Sequence, residues 1–497
     1  MKVLGLPAVL LALLAALSVI PLDEVHGGGY APGETVRGHG GYTEYEVGDL
    51  PIILSVPHGG PLKPAEIPDR SQAVVDNDPY VDELGAELAA EIERLTGRPA
   101  HLVRNQLHRS KLDANRTRLE GARRDPTATQ AWEDYHGFLL AAEQAIVEGC
   151  GRGLLIDLHT NGGEGYRIEF GYGLTVSDLE VDDERLNREP YLRRSTLRAL
   201  ARLGPVAHAD LIRGPLSLGG LMTSVGYAAE PSPQRRVPDG EPYFNGGYTI
   251  YRHGSLYGGW IDAVQVEVSY DLLRPAARLN LIRSLAAAAL TFVDTAYGFN
   301  LTQPGAAACP AFVDVPFTHP ASSAIETLQA AGALTACGAG PRRFCPWDPV
   351  TRADAAVMSI RRAEGKAMPA GPGSFSDLPS GRWDAAYAGE AWRRGWIDAC
   401  AGEPLRYCPE APLSRQQAAH LAVSMSPWLV EAGGRGTVAD VPPGTAADEA
   451  FATLHAGLLL PCRVSPEIYF CPQQPVTRAE LAQLLAAIRT ERSANPP

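Results

Sequence analysis

The residues best suited to chemistry are two histidines, each placed just after a run of apolar residues. His58 stands in Ile52-Ile-Leu-Ser-Val-Pro-His58-Gly-Gly60, and His159 in Leu154-Leu-Ile-Asp-Leu-His159-Thr-Asn161. Neutral imidazoles at two strand ends could meet at one zinc ion (Zn2+), which in catalytic sites takes three protein ligands and keeps a position open for water. A carboxylate, Glu267, lies inside the apolar run Val264-Gln-Val-Glu-Val268, where an unpaired charge is costly to bury. Between the histidines runs Arg104-Asn-Gln-Leu-His-Arg-Ser-Lys-Leu-Asp-Ala-Asn115-Arg116. Its adjacent Asn115 and Arg116 offer an amide and a guanidinium to a substrate carboxylate. The plainer readings are turn or core histidines and a basic surface loop.

The elements that must position these residues are legible as alternating strands and helices. Ile52–Val56, His101–Val103, Leu154–Leu158 and Val264–Val268 read as buried strands. Val81, Leu84, Leu88, Ile92 and Leu95 share one face of a helix, with Asp78 as its cap and Pro79 at its first position. A Leu/Ala-rich helix follows from Pro275 to Tyr297. The expectation is an α/β domain with a mostly parallel central sheet flanked by helices, whose reactive groups gather at the carboxyl ends of the strands.

The chain has 497 residues, 45% hydrophobic and 20% charged, with a formal charge of −13. That balance is globular, and the acidity disfavours a nucleic-acid binder. Only the first 22 residues, one lysine ahead of an uncharged apolar run, are apolar enough to meet a membrane, so no multi-pass protein is expected. They read as a signal peptide and place the protein outside the cell, secreted. The eight cysteines agree. Cys337 with Cys345, Cys400 with Cys408, and Cys462 with Cys471 form close pairs, which in an exported protein read as disulfides closing small loops. Cys150 and Cys309 are left as candidates for each other.

The last third repeats. Phe312-Val-Asp-Val-Pro316, Phe375-Ser-Asp-Leu-Pro379 and Val438-Ala-Asp-Val-Pro442 recur 63 residues apart, as do Thr351-Arg-Ala-Asp354, Ser414-Arg-Gln-Gln417 and Thr477-Arg-Ala-Glu480. Each unit reads as helix, Cys-closed loop, helix, with Ile325, Leu328 and Leu334 forming the first apolar stripe. Thr351 and Asp354 match a capping box. The units are too small to stand alone and are expected to pack together as an all-α module.

These repeats resemble S-layer homology domains. The resemblance implies a protein at the bacterial cell surface, attached to cell-wall polysaccharide through Arg352, Arg415 and Arg478, with the second unit departing from the pattern because it lacks the acidic residue. Upstream, Val-Pro-His-Gly-Gly, Asp-Ala-Asn-Arg, Ile-Asp-Leu-His-Thr, Phe244-Asn-Gly-Gly-Tyr-Thr-Ile-Tyr-Arg-His253-Gly and Val-Gln-Val-Glu resemble the N-formylglutamate amidohydrolase family, whose fold is similar to zinc carboxypeptidases. The organisation is then a signal peptide over 1–22, a catalytic domain over 30–302, and repeats over 309–365, 372–428 and 435–490.

The resemblance implies zinc on His58 and His159, Glu267 as catalytic carboxylate, and Asn115 with Arg116 on the substrate. For the third ligand it points to Asp78, against a plain role as helix cap, with Glu66 and Asp76 as alternatives. Arg104 or Arg109 would supply an oxyanion cation, and Tyr248, Tyr251, Arg252 and His253 a pocket wall. The implied activity is a metallopeptidase-like, wall-anchored hydrolysis of an amide in an N-acyl amino acid, peptide or polyglutamate-like substrate. The rival reading is an envelope protein that kept the fold and lost activity. No Gly-x-Ser-x-Gly elbow or phosphate-binding loop is present to support a serine hydrolase or a nucleotide enzyme.

Overall fold

The computed structural model describes residues 30–488, apart from 72–73, 163–166, 205, 239–242, 304, 306, 339–341, 366–367, 369–374, 380, 428, 430–437 and 464–466. The expected signal peptide at 1–22 and residues 489–490 of the third repeat lie outside the described residues. Eight strands form one sheet: β1 (Thr35–Arg37), β2 (Thr43–Glu46), β3 (Ile52–Val56), β4 (His101–Asn105), β5 (Gly153–Asn161), β6 (Arg167–Gly171), β7 (Ala228–Glu230) and β8 (Ile261–Ser269). Their spatial order is β1-β2-β4-β3-β5-β8-β6-β7. The four central strands β4, β3, β5 and β8 are parallel, as expected from the alternation. The edges are mixed: β2 runs antiparallel to β4 and β6 antiparallel to β8.

Helix α1 (Val81–Thr96) follows β3 on one face, and α2 (Pro126–Gly149) follows β4 on the other. A short helix, α3 (Tyr248–His253), joins the second face, and α4 (Pro275–Tyr297) packs beside α1. The chain order thus reverses between β3 and β5, the position where such sheets open a crevice at their carboxyl ends.

The period of two along each strand explains the polar residues. Leu54, Val56, Ile156, Leu158, Val264, Val266 and Val268 point to the α1/α4 side and enter the larger apolar core. On the opposite face, Ile53, Leu155 and Ala263 meet α2 in a smaller apolar cluster. Continuing toward the carboxyl ends, that same face changes to Ser55, Asp157, His159, Gln265 and Glu267, all buried.

Helix α1 corrects one expectation. It begins at Val81, with Tyr80 as its N-cap at φ 63° and no side-chain cap. Asp78 is therefore not the cap and Pro79 not the first helical residue. Val81, Leu84, Leu88 and Ile92 are buried, whereas Leu95 at the end of the stripe is exposed.

The C-terminal third has its own apolar core, built by α5 (Ser322–Ala330), α6 (Arg352–Glu364), α7 (Ala385–Arg393), α8 (Arg415–Met425), α9 (Thr445–His455) and α10 (Arg478–Ala487). The helices do not pair within a repeat. α6 packs on α7, α8 on α9, and α10 returns to α5, which closes a ring of three units. Three backbone bonds mark its centre: Val350 N–H donates to Val476, Val476 to Leu413, and Leu413 to Val350.

Disulfides join Cys337–Cys345, Cys400–Cys408, Cys462–Cys471 and Cys150–Cys309. The repeated aspartates clamp the small loops. Asp314, Asp377 and Asp440 each accept two backbone N–H groups, from Phe344 and Cys345, Tyr407 and Cys408, and Phe470 and Cys471. This holds Cys345, Cys408 and Cys471 at φ of 55°, 54° and 56°, a conformation non-glycine residues rarely adopt.

Arg352, Arg415 and Arg478 are corrected by the same ring. All three are buried. Arg352 lies over the Tyr407 ring, Arg415 over Phe470 and Arg478 over Phe344, at 5.0, 5.1 and 4.9 Å. Each Nε donates to the carbonyl of that aromatic residue, in the next unit around the ring. They bind the units together and are not the exposed polysaccharide contacts expected. The capping pattern also differs from expectation in the first two units. Ser414 and Gln417 complete a capping box, as Thr477 and Glu480 do. Asp354 instead receives Arg478 Nη1 at 2.9 Å.

Candidate functional site

His58 leaves the end of β3 on a turn whose glycines are required by close approach. A Cβ on Gly60 would lie 2.1 Å from the Gln106 backbone. Two residues after Asp157, His159 is on the same face of β5. The two rings meet with centroids 4.8 Å apart and Nδ1 atoms at 3.2 Å. Asp78 Oδ2 lies 2.9 Å from His159 Nδ1 and 3.2 Å from His58 Nδ1. The segment before α1, bent at the left-handed Tyr80, turns this carboxylate in. Of the three candidates, Asp78 joins the histidines. Glu66 accepts the Tyr42 hydroxyl at 2.6 Å, and both it and Asp76 are exposed.

The far side of each ring is oriented by a carboxylate. His58 Nε2–H donates to Asp113 Oδ1 at 2.7 Å and His159 Nε2–H to Asp157 Oδ2 at 3.0 Å. That fixes the tautomers so that both Nδ1 lone pairs face Asp78. In the neutral rings two lone pairs and a carboxylate oxygen converge within 3.2 Å, an arrangement that either a proton on a ring nitrogen or a metal cation among them would relieve. Burial opposes charge on His159, yet Asp157, Asp78 and Glu267 outweigh it and hold its proton well above the imidazole range. Burial likewise opposes ionisation of Asp78, and His58 and His159 reverse it, so its carboxyl is well below the usual range. The donor set fits a zinc ion, whose binding would displace the His159 proton. Three other groupings, Asp314, Asp377 and Asp440 with their cysteine pairs, do not fit, because both sulfurs are in disulfides.

Glu267 on β8 is the register partner of His159 on β5 and of Glu169 on β6. Its Oε1 accepts Gln265 Nε2 at 3.0 Å. Burial pushes its carboxyl up to about 7, with His159 opposing the rise and Asp78 and Glu169 adding to it.

The structure separates the two candidate arginines. Arg109 joins the cluster, with Nη1 3.0 Å from Asp78 Oδ1 and Nε 3.1 Å from Asp113 Oδ2. Arg104 does not, for a reason of strand parity. It is the register partner of Val56, so it faces the α1 side, where it pairs with Glu44, Glu46 and Asp82.

Asn115 is buried with its amide committed to the chain. Oδ1 accepts Thr249 N–H at 2.8 Å and Nδ2 lies 3.1 Å from His159 Nε2. Gly247 makes room for it, since a Cβ there would sit 2.3 Å from Nδ2. Arg116 is exposed, and its Nη1 donates to Asn115 O at 3.0 Å. Beside it, Trp132 donates to Arg116 O at 3.0 Å, and Arg252 lies 5.5 Å from the Trp132 ring with Tyr248 adjacent. Tyr251 packs against the smaller apolar cluster instead.

His253 is buried and is no pocket wall. Its Nδ1 meets Glu143, and its Nε2 lies 2.8 Å from His136 Nδ1, the two rings stacked at 5.1 Å. His136 Nε2 in turn donates to Ala114 O at 3.1 Å. Asp113, Asp157, His136 and Glu143 were not singled out from the sequence. For Asp157 the signal was present, two residues before His159. His136 and Glu143 lie on a long helix with no local sign of their partners.

No family model matches the sequence, and no curated protein matches it. Several solved structures are similar over part of the chain, among them the following two. One is the N-formylglutamate amidohydrolase from Ralstonia eutropha JMP134, 16% identical over 51% of this chain and 97% of that one, with a TM-score of 0.30. The other is a gene product of Agrobacterium tumefaciens, 13% identical over 52% of this chain and 97% of that one, also with a TM-score of 0.30.

Proposed function

We propose that this chain is a secreted, wall-attached, zinc-dependent amidohydrolase acting on an amide that lies near a carboxylate, as in an N-acyl amino acid, a peptide or a polyglutamate-like chain. The observation that carries the reading is the convergence of His58 Nδ1, His159 Nδ1 and Asp78 Oδ2 beside Glu267. When bound, zinc would polarise the amide carbonyl and lower the pKa of a water toward about 7. Glu267 takes the proton of the attacking water and returns it to the leaving nitrogen. Near pH 7 its carboxyl can do both. Arg116 receives the substrate carboxylate, and Asp113 and Asp157 keep the two imidazoles aimed. Arg109 braces Asp78 and Asp113.

The full chain should carry one equivalent of zinc and hydrolyse members of such an amide panel. Metal content and hydrolysis should both collapse in His58→Ala/His159→Ala. A double variant that binds zinc like the parent would overturn the assignment.

Export and attachment are supported by the four disulfides, which persist in oxidising surroundings, and by the closed ring of three repeats. Because the ring consumes Arg352, Arg415 and Arg478, polysaccharide contacts belong to its outer surface, where Trp347 and Trp383 are exposed. The full chain should sediment with polysaccharide-bearing cell walls and not with walls stripped of polysaccharide; equal sedimentation would sink this reading.

A further inference from the structure

We propose a second binding site, for a carboxylated sugar ring, in the cavity at the amino end of β8. This cavity, about 390 Å³, is lined by Arg198, Arg202, Ser255, Tyr257 and Trp260 with the Gly258–Gly259 turn. Trp260 directly precedes β8, while Glu267 stands near its other end, so roughly 20 Å of extended strand separates the cavity from the candidate active site. The proposal does not depend on the hydrolase reading.

The charge argues for an anion. Arg198 Nη1 donates to Leu256 O at 3.0 Å, and its Nε is shielded from solvent with no acceptor. No carboxylate pairs with Arg198 among the described residues. Arg202 has Glu189 at 3.5 Å, but that carboxylate is held more closely by Arg193 at 2.9 Å. Glu189 is thus shared between Arg193 and Arg202, and the cavity is lined by Arg202, its weaker partner, and by Arg198, which has no carboxylate partner among the described residues. A guanidinium presents a planar fork that matches a carboxylate.

The aromatic residues argue for a ring. Tyr257 is 84% exposed, yet it is carried on a defined turn, closed by Gly258 N–H donating to Ser255 O at 3.0 Å. Gly258 and Gly259 continue at φ of 108° and 96°, and the space beside both is open, so a ligand can approach the main chain. Tyr257 and Trp260 offer π faces whose negative quadrupole attracts the C–H face of a pyranose. A free anion would use the arginines and leave these rings idle.

The test is calorimetric titration of the full chain with trigalacturonate, with maltotriose as the neutral oligosaccharide of equal length, and with inorganic phosphate. Trigalacturonate should bind saturably, and at least tenfold more weakly to Tyr257→Ala/Arg202→Gln, whose zinc content and hydrolysis stay at parental levels. Maltotriose and phosphate should give no saturable heat at the same concentrations. Absence of trigalacturonate binding, or binding undiminished in the double variant, would overturn the site. Equal binding of phosphate would reduce it to a simple anion site, and equal binding of maltotriose would remove the role of the arginines.

Discussion

At the residue scale, the decisive distinction is between side chains that hold a cation and side chains that aim them. Glu267 neighbours the histidines across the sheet but is not one of the three converging donors. Glu267→Gln should therefore retain zinc by elemental analysis while hydrolysis falls by about 10²- to 10⁴-fold; loss of the metal would make it a ligand. Asp113 acts through His58, whose Nε2–H it accepts at 2.7 Å. Asp113→Asn should weaken zinc about 10- to 100-fold in competition with a chelator, and unchanged affinity would deny it that role. Away from this cluster, Asp262 is fully buried. Burial pushes its carboxyl up to about 6, against hydrogen bonds from Ser255, Leu200 N–H and Tyr297 and the charge of Arg152. A folded-state value above the unfolded one, about 3.9, means that its contribution to stability is present below pH 4 and is lost as pH rises through 6. Asp262→Asn should gain stability relative to the parent between pH 4 and 6.5 in urea titrations. A constant difference would contradict the assignment.

At the element scale, the repeats are cooperative because no repeat owns its helix pair. α6 packs on α7, α8 on α9 and α10 on α5, and each junction is bolted by an arginine that reaches the next loop. Arg478 adds an ion pair to Asp354 at 2.9 Å, whereas the corresponding position facing Arg352 is the neutral Gln417. Asp354 is partly exposed, so water screens some of this attraction, but losing Arg478 still removes both its cation and the bolt to the next loop. Arg478→Ala should therefore lower the melting temperature of the module more than Arg352→Ala does. In both variants calorimetry should show the three repeats melting in one transition. A third repeat melting separately would show that the ring does not couple them.

At the scale of the whole molecule, Cys150 at the end of α2 is bonded to Cys309 at the entrance to the repeats, 159 residues away. Closing so long a loop restricts the unfolded chain by about 5 kcal/mol on the loop-entropy account, roughly twice the contribution of any one of the small loops. Cys150→Ser/Cys309→Ser should lose stability of that order in denaturant titrations and keep its zinc, since the cluster lies at the opposite, carboxyl ends of the strands. Loss of zinc under native conditions would mean that the tether also shapes the site. The same sheet would then carry two binding places, hydrolysis at its carboxyl ends and sugar at its amino end.

The sequence alone determined the central strands, because fully buried strands are written as apolar runs. It also determined the 63-residue period and singled out His58, His159 and Glu267, polar residues that follow or interrupt apolar runs. Tertiary structure decided everything that depends on parity, direction or distant pairing. Arg104 and Arg109 look equivalent in one basic stretch, yet strand parity turns Arg104 to the far face. Asp78 reads equally as a cap or a ligand until the left-handed Tyr80 directs it into the cluster. The three repeat arginines look like helix-start residues open to solvent, and ring closure buries them. In each case the outcome is set by which distant backbone lies opposite, and local sequence carries no record of that.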